Sequence, residues 1–174
     1  MKISNANRER NKSYSNSETV LLDEIDYKIL NILQEDNQLT NLELARRIGL
    51  SAPPCLKRVR ALRDSGVIAK NVSLIDSTKV GQYLTVFVNI SLEKRSKDRI
   101  VRFEKKIQEH PEVLQCYLVS GETDYLMVVH VLDMNHYNAF IGKVLSDEAI
   151  RMFRSSFCLN LVKFSTKIQL KKTR

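Results

Sequence analysis

The sequence predicts an α+β protein in two parts, an N-terminal winged helix-turn-helix followed by a ferredoxin-like βαββαβ domain. Two observations lead to this prediction. In residues 22–75, apolar residues recur at helical spacing in three short segments that turn-forming residues separate. In residues 84–165, runs with the two-residue period of a strand alternate with helical runs in the order β-α-β-β-α-β.

The first part is expected to contain three helices. Asp23 is placed to cap a helix over residues 23–35, and Thr40 and Glu43 have the spacing of a capping box at the start of the second helix. Gly49 supplies the turn residue that ends this helix. The expected inner residues of the two helices are Ile25, Ile29, Ile32, Leu33, Ala45 and Ile48.

The third helix is predicted to be apolar on one side and cationic on the other. Ser51 is expected to cap it, and Pro53 and Pro54 fall in its first turn, where no intrahelical donor is lost. Between Leu44 and Arg63 the chain has six basic residues and no acidic one. The expected inner side consists of Cys55, Leu56, Val59 and Leu62.

Such a helix is typical of the element that a helix-turn-helix presents to the major groove of DNA. A solvated basic face on an ordinary helix is the alternative. The absence of acidic residues, together with capping and turn residues at these offsets, favours DNA binding. The predicted DNA contacts are Arg46, Arg47, Ser51, Pro53, Lys57, Arg58 and Arg60.

The remaining segments of the first part and the chain ends complete the predicted organisation. The β-prone run Val67–Ile75 predicts a small wing or a connecting strand. Four of the eight net positive charges fall in the last nine residues, which could contact phosphate or remain solvated. The predicted division is a disordered arm (1–21), a DNA-binding domain (22–75), a linker (76–83), a sensing and oligomerisation domain (84–165) and a basic tail (166–174).

The second part is expected to fold as an antiparallel sheet with both helices on one face. The expected strands are Leu84–Leu92, Val113–Ser120, Tyr125–Leu132 and Met152–Val162; the expected helices are Lys97–His110 and one that Asp133 caps, with Met134, Tyr137, Ile141 and Leu145 on its inner face. Both alternating sets of Tyr125–Leu132 are mostly apolar, so the uncovered face needs a partner. A second copy of the chain is the simplest candidate.

Several classes of function are disfavoured. The odd, widely spaced cysteines Cys55, Cys116 and Cys158 are expected to be reduced core residues of a cytosolic protein. No signal peptide or long apolar segment is present, so we expect a cytoplasmic protein. The histidines lack metal-ligand spacing, and no nucleophile motif or phosphate loop occurs. No catalytic residue, metal or cofactor is predicted, although an enzyme on the ferredoxin-like fold remains an alternative.

Two motifs in this order resemble the Lrp/AsnC family of bacterial and archaeal transcription regulators. The first is Ser51-Ala52-Pro53-Pro54-Cys55-Leu56-Lys57-Arg58-Val59-Arg60-Ala61-Leu62, and the second is Val119-Ser120-Gly121-Glu122-Thr123-Asp124-Tyr125. The resemblance implies a winged helix-turn-helix for double-stranded DNA and a C-terminal domain that senses amino acids. It also implies dimers that assemble into tetramers or octamers and act on the nucleoid.

The second motif is a hairpin with two interpretations. It is an ordinary turn, in which glycine permits positive φ and the acids face water, or it binds an amino acid. In the latter, amides around Gly121 bind the carboxylate and Asp124 binds the ammonium group. The predicted effector contacts are Gly121, Glu122, Thr123, Asp124 and Tyr125, and the resemblance adds Met134, Ser156, Phe157 and Cys158. An architectural DNA-binding protein without a ligand is the alternative.

Overall fold

The computed structural model describes residues 20–93, 96–146 and 149–170. They form two compact units, one comprising residues 20–73 with 165–170 and the other residues 74–164. The predicted disordered arm lies outside the described residues except for its last two positions. The predicted domain boundaries therefore stay predictions, while the architecture of each unit can be compared with the sequence.

The first unit contains the three expected helices, α1 (Glu24–Glu35), α2 (Asn41–Ile48) and α3 (Ala52–Asp64). The first two helices begin with side-chain capping bonds. Asp23 accepts from the amides of Ile25 and Asp26, and the Thr40–Glu43 capping box forms as predicted. The core of this unit comprises Ile29, Leu30, Leu44, Ala45, Cys55, Val59 and Leu62.

The turn between α2 and α3 fixes the angle at which α3 is presented. Gly49 ends α2 at φ 74°, a conformation that suits glycine. The side-chain amide of Asn41 donates to the carbonyl of Ala52 at 2.8 Å and joins the first residues of the two helices. The helix-turn-helix is thus held by a turn and by a polar contact as well as by its core.

The predicted strand in Val67–Ile75 is not formed in this chain. Val67 and Ile68 pack against the helical core, and the following residues have no regular structure. Val72, Leu74 and Ile75 are exposed, because no strand among the described residues pairs with this run. A short helix, α4 (Ser77–Val80), occupies half of the predicted linker.

The second unit confirms the βαββαβ order. Its elements are β1 (Leu84–Leu92), α5 (Lys97–Gln108), β2 (Val113–Leu118), β3 (Tyr125–Val131), α6 (Met134–Leu145) and β4 (Ile150–Phe157). The four strands form one sheet in the order β2-β3-β1-β4, with every neighbouring pair antiparallel. As predicted, Asp133 caps α6 by accepting from the amide of His136 at 2.7 Å.

The two long helices cover one face of the sheet and leave the other open. The helix-covered face buries Val86, Val88, Ile90, Met127, Val129 and Val131 against Phe103, Ile107, Tyr137, Phe140, Ile141 and Val144. The register places Phe87, Tyr117, Leu126, Val128 and Met152 on the opposite face, which we call the open face. Its residues are half-buried or exposed, so this side of the sheet is only partly shielded from water.

The second unit differs from the prediction in several element ends and in the placement of individual side chains. The last strand ends at Phe157, because Phe157 lies opposite Val86 near the start of β1 and little of β1 remains for further pairing. Phe140 and Val144, not Met134, complete the inner face of α6. Cys116 was predicted in the core but is exposed on the edge strand β2.

Candidate nucleic-acid interface and effector site

The outward side of α3 carries exposed cationic residues. Cys55, Val59 and Leu62 turn inward, so Lys57 and Arg60 point away from the core and are exposed. Pro53 lies on the same side in the first turn and is also exposed. This side of α3 can therefore approach a polyanion without rearrangement of the core.

Arg58 has a different environment from its cationic neighbours. Its Nη1 lies 2.6 Å from Asp23 Oδ2 and 2.9 Å from Asp26 Oδ1, so it links α3 to the start of α1. The hydrogen bond from the amide of Asp26, followed by that from Arg58, holds the pKa of Asp23 below its ordinary value. The two carboxylates in turn raise the pKa of Arg58. Its predicted contact with DNA competes with this pair.

Ser51 occupies the N-cap position of α3 but its side chain makes no cap hydrogen bond, contrary to the prediction. The reason is chemical. An N-cap side chain accepts from the second or third amide of the helix, and here these residues are Pro53 and Pro54, which have no N–H. The exposed Ser51 hydroxyl is consequently available to an external partner at the start of α3.

Arg46 and Arg47 lie exposed in the last turn of α2. Cations at this position interact favourably with the helix dipole, which gives both residues a structural function besides any contact with phosphate. Glu43, at the other end of α2, is held by Thr40, whose hydrogen bonds lower its pKa. The acid thus stays at the N-terminal end of the helix and the two cations at its C-terminal end.

The predicted effector hairpin is bonded to the end of β1. Gly121 has φ 136°, which only glycine adopts readily. Asp124 is 5% exposed; its amide donates to the carbonyl of Ile90 at 2.9 Å, and its Oδ2 accepts from the amide of Leu92 at 2.7 Å. Gly121 and Glu122 of the same hairpin are exposed, whereas Asp124 is buried.

Tyr125 contributes its side chain to the core and not to the surface of the hairpin. It is 2% exposed, packs against Phe103 and donates from its hydroxyl to Glu104 at 3.0 Å. Burial, with the Glu104 hydrogen bond, raises the pKa of Tyr125. Thr123 is half-buried.

The other predicted effector residues lie at the opposite end of β1. Phe157 pairs with Val86, and the amide of Cys158 donates to the carbonyl of Thr85 at 2.8 Å. Ser156 is on the open face, whereas Phe157 contacts Tyr137 edge-on, with ring centroids 5.3 Å apart. Within one chain, about four residues of β1, or roughly 14 Å, separate these residues from the hairpin.

Met134 lines a shallow surface pocket of about 430 Å³. The pocket combines apolar side chains with polar groups at the start of α6. Its lining residues are Gln82, Tyr83, Leu84, Leu132, Asp133, Met134 and Asn135. Neither the hairpin nor Ser156 belongs to it.

Within the described residues, no cluster of histidine, cysteine and acidic side chains could hold a metal ion. The same part of the chain has no helix that is both long and apolar enough to cross a membrane.

The comparisons with known proteins agree with both units. The family model described as Winged helix-turn-helix DNA-binding matches residues 22–69, and that described as Lrp/AsnC ligand binding domain matches residues 85–168. Escherichia coli DNA-binding transcriptional activator DecR is 36% identical over 86% of this chain and 99% of its own length. The E. coli Leucine-responsive regulatory protein is 41% identical over 71% of this chain and 76% of its own length.

A solved structure extends the similarity to the fold. A transcriptional regulator from Neisseria meningitidis in complex with L-Met superimposes with a TM-score of 0.80 at 37% identity, over 85% of this chain and 96% of the other. The fold and these comparisons thus define a non-enzymatic, DNA-binding transcription regulator with an Lrp/AsnC ligand-binding domain. The chain belongs to the Lrp/AsnC family.

Proposed function

We propose that α3 is the recognition helix and that Lys57 and Arg60 make its principal cationic contacts with double-stranded DNA. The observation that carries this proposal is their exposed position opposite the buried Cys55, Val59 and Leu62. Ser51 and Pro53 lie at the start of α3 and would approach the groove edge. Arg46 and Arg47 would contact the flanking phosphates, and Arg58 would contact DNA only by giving up its pair with α1.

The proposed effector is a free amino acid. Gly121 and Glu122 are exposed and would offer turn amides to a carboxylate, and Asp124 supplies a carboxylate from the same hairpin for the ammonium group. Apolar side chains at Met134 and Phe157 suit an aliphatic or thioether side chain, which agrees with the L-Met complex of the Neisseria relative.

Because the hairpin and Met134, Ser156, Phe157 and Cys158 lie at opposite ends of β1, we propose that two copies of the chain complete the site. The partly covered open face supports association into a dimer, and dimers would assemble further into tetramers or octamers. An effector that binds between copies prefers one assembly over another, and this preference would couple it to DNA binding.

The test combines two measurements on the full chain. Genome-wide DNA binding, measured with and without a mixture of the twenty amino acids, should show sites whose occupancy changes. Calorimetry should then identify the amino acid by its heat of binding. Identical occupancy, with no heat from any amino acid, would instead support a DNA-binding protein without a ligand. The hairpin would then be a structural turn, which agrees with the burial of Asp124 and Tyr125.

A further inference from the structure

The C-terminal segment Ser165–Leu170 packs on α1 of the DNA-binding unit. The amide of Ile168 donates to Gln34 Oε1 at 2.8 Å, and Gln34 Nε2 donates to the carbonyl of Ile168 at 3.3 Å. One side-chain amide thus satisfies both main-chain groups of a single residue, as a neighbouring strand would. This pairing fixes the direction and register of the segment along α1.

The residues on either side of Ile168 add an ion pair and an apolar contact to this pairing. Lys167 forms an ion pair with Glu35, and this hydrogen-bonded ammonium lowers the pKa of Glu35. No basic residue occurs in the last turn of α1, so Lys167 brings to its C-terminal end the cation that the helix lacks. Three residues after Lys167, Leu170 packs against the helical core.

We propose that residues 165–170, which we call the strap, are part of the fold of the DNA-binding domain and couple it to β4 of the ligand-binding domain. The candidate effector residues Ser156, Phe157 and Cys158 precede the strap closely in the chain. Phe157 at the end of β4 and Ser165 at the start of the strap are eight residues apart, so they can separate by about 29 Å at most. The coupling part of this proposal rests on the proposed amino-acid response.

The strap gives part of the basic tail a function other than phosphate binding. Lys167 pairs with Glu35 of the protein itself and not with a phosphate. Ile168 is held through its backbone alone and remains 63% exposed. The contact is therefore specified mainly by Gln34, Glu35 and Lys167. These three side chains can be changed without disturbing the buried core of α1.

The docking is tested by a double-mutant cycle. Gln34→Ala is made in the full chain and in a chain that ends at Phe164, and hydrogen exchange is measured at the amides of α1. In the full chain we expect exchange about tenfold faster, because both bonds to Ile168 are lost. In the shortened chain we expect no acceleration, because alanine is the better helix former. Equal acceleration in both chains would overturn the docking.

A charge exchange keeps the test independent of the shortened chain. Lys167→Glu in the full chain should accelerate exchange in α1, and adding Glu35→Lys should restore it. Lys163→Glu, an equal charge change at an exposed residue outside the strap, is the matched control and should have little effect. Failure of Glu35→Lys to rescue Lys167→Glu would count against the ion pair as part of the docking.

The coupling is tested by DNA binding with and without the amino acid that calorimetry identifies. Gln34→Ala and the shortened chain should still bind DNA but lose most of the change that the amino acid causes. A full response in both would overturn the coupling. If the unmodified chain binds no amino acid, the proposed function fails, whereas the hydrogen-exchange cycle still decides whether the strap docks.

Discussion

The carboxylate of Asp124 accepts a hydrogen bond from the backbone amide of Leu92 at 2.7 Å, while the amide of Asp124 donates to Ile90 at 2.9 Å. A single hairpin residue therefore joins β1 through both its side chain and its backbone. Asp124 has a structural function that does not depend on an effector. Substitutions of Asp124 must therefore separate the loss of its negative charge from the loss of its hydrogen-bond acceptor.

Asp124→Asn and Asp124→Ala should behave differently. Asparagine keeps an oxygen for the Leu92 amide but has no charge, so we expect an almost normal unfolding midpoint and a loss of amino-acid binding. Alanine leaves that buried amide without its acceptor and should destabilise the domain by about 1–3 kcal/mol. Thermal unfolding and calorimetry measure the two effects.

Glu122→Gln is the matched control, since it removes a neighbouring exposed charge that makes no side-chain bond to β1. It should leave the unfolding midpoint unchanged. Normal amino-acid binding by Asp124→Asn would remove the proposed carboxylate–ammonium contact and leave Asp124 with its structural function alone.

Cationic residues of α3 should divide into two groups according to their partners. Lys57→Ala and Arg60→Ala should each weaken binding to all DNA sequences and reduce the dependence of log affinity on log salt by about one unit. Arg58→Ala should mainly destabilise the helix-turn-helix, since it leaves Asp23 and Asp26 without their cation. Fluorescence anisotropy over a salt series, with thermal unfolding, distinguishes the groups.

The double variant Lys57→Ala/Arg60→Ala supplies the decisive case. If its affinity and salt dependence equal those of the unmodified chain, α3 does not face the DNA. If Arg58→Ala reduces the salt dependence as much as Lys57→Ala does at unchanged stability, Arg58 leaves α1 on binding and contacts phosphate directly, as the sequence predicted.

Local chemistry made most of the fold predictable. The capping box of Thr40 with Glu43 and the N-cap at Asp133 each depend on residues within three positions. Both formed as predicted. The predicted cap at Ser51 was wrong although the sequence contained the reason. Pro53 and Pro54 lack the backbone amides that an N-cap side chain needs as donors. The periodicity of the strands likewise predicted the βαββαβ order.

Long-range contacts were not predictable in this way. Arg58 meets Asp23 across 35 positions, and Gln34 meets Ile168 across 134, separations at which no periodic pattern acts. The division of the candidate effector site has the same origin. It follows from the antiparallel register, which pairs Phe157 with Val86 and Tyr125 with Ile90, and no short motif encodes that register.

The Asp23–Arg58 pair predicts how stability depends on pH. Because the folded state lowers the pKa of Asp23 below 3.8, its contribution is fully present above that value and is lost as the pH falls through the lower, folded pKa. Urea unfolding of the unmodified chain and of Arg58→Gln should therefore differ most above about pH 4.5 and converge in more acidic solution. A difference that stays constant down to pH 2 would show that Arg58 acts by packing and not through this ion pair.

The open face of the sheet predicts where two copies meet. Phe87 is 38% exposed and Met152 is 43% exposed on this face, although both lie in regular strands. Phe87→Glu would place a charge in an interface that buries it, so sedimentation at micromolar concentration should show a shift from dimer or larger species toward monomer. Val101→Glu, on the exposed side of α5 and more accessible at 62%, is the control and should leave the assembly unchanged. An unmodified chain that sediments as a monomer, or a Phe87→Glu variant that keeps its assembly, would place the interface elsewhere.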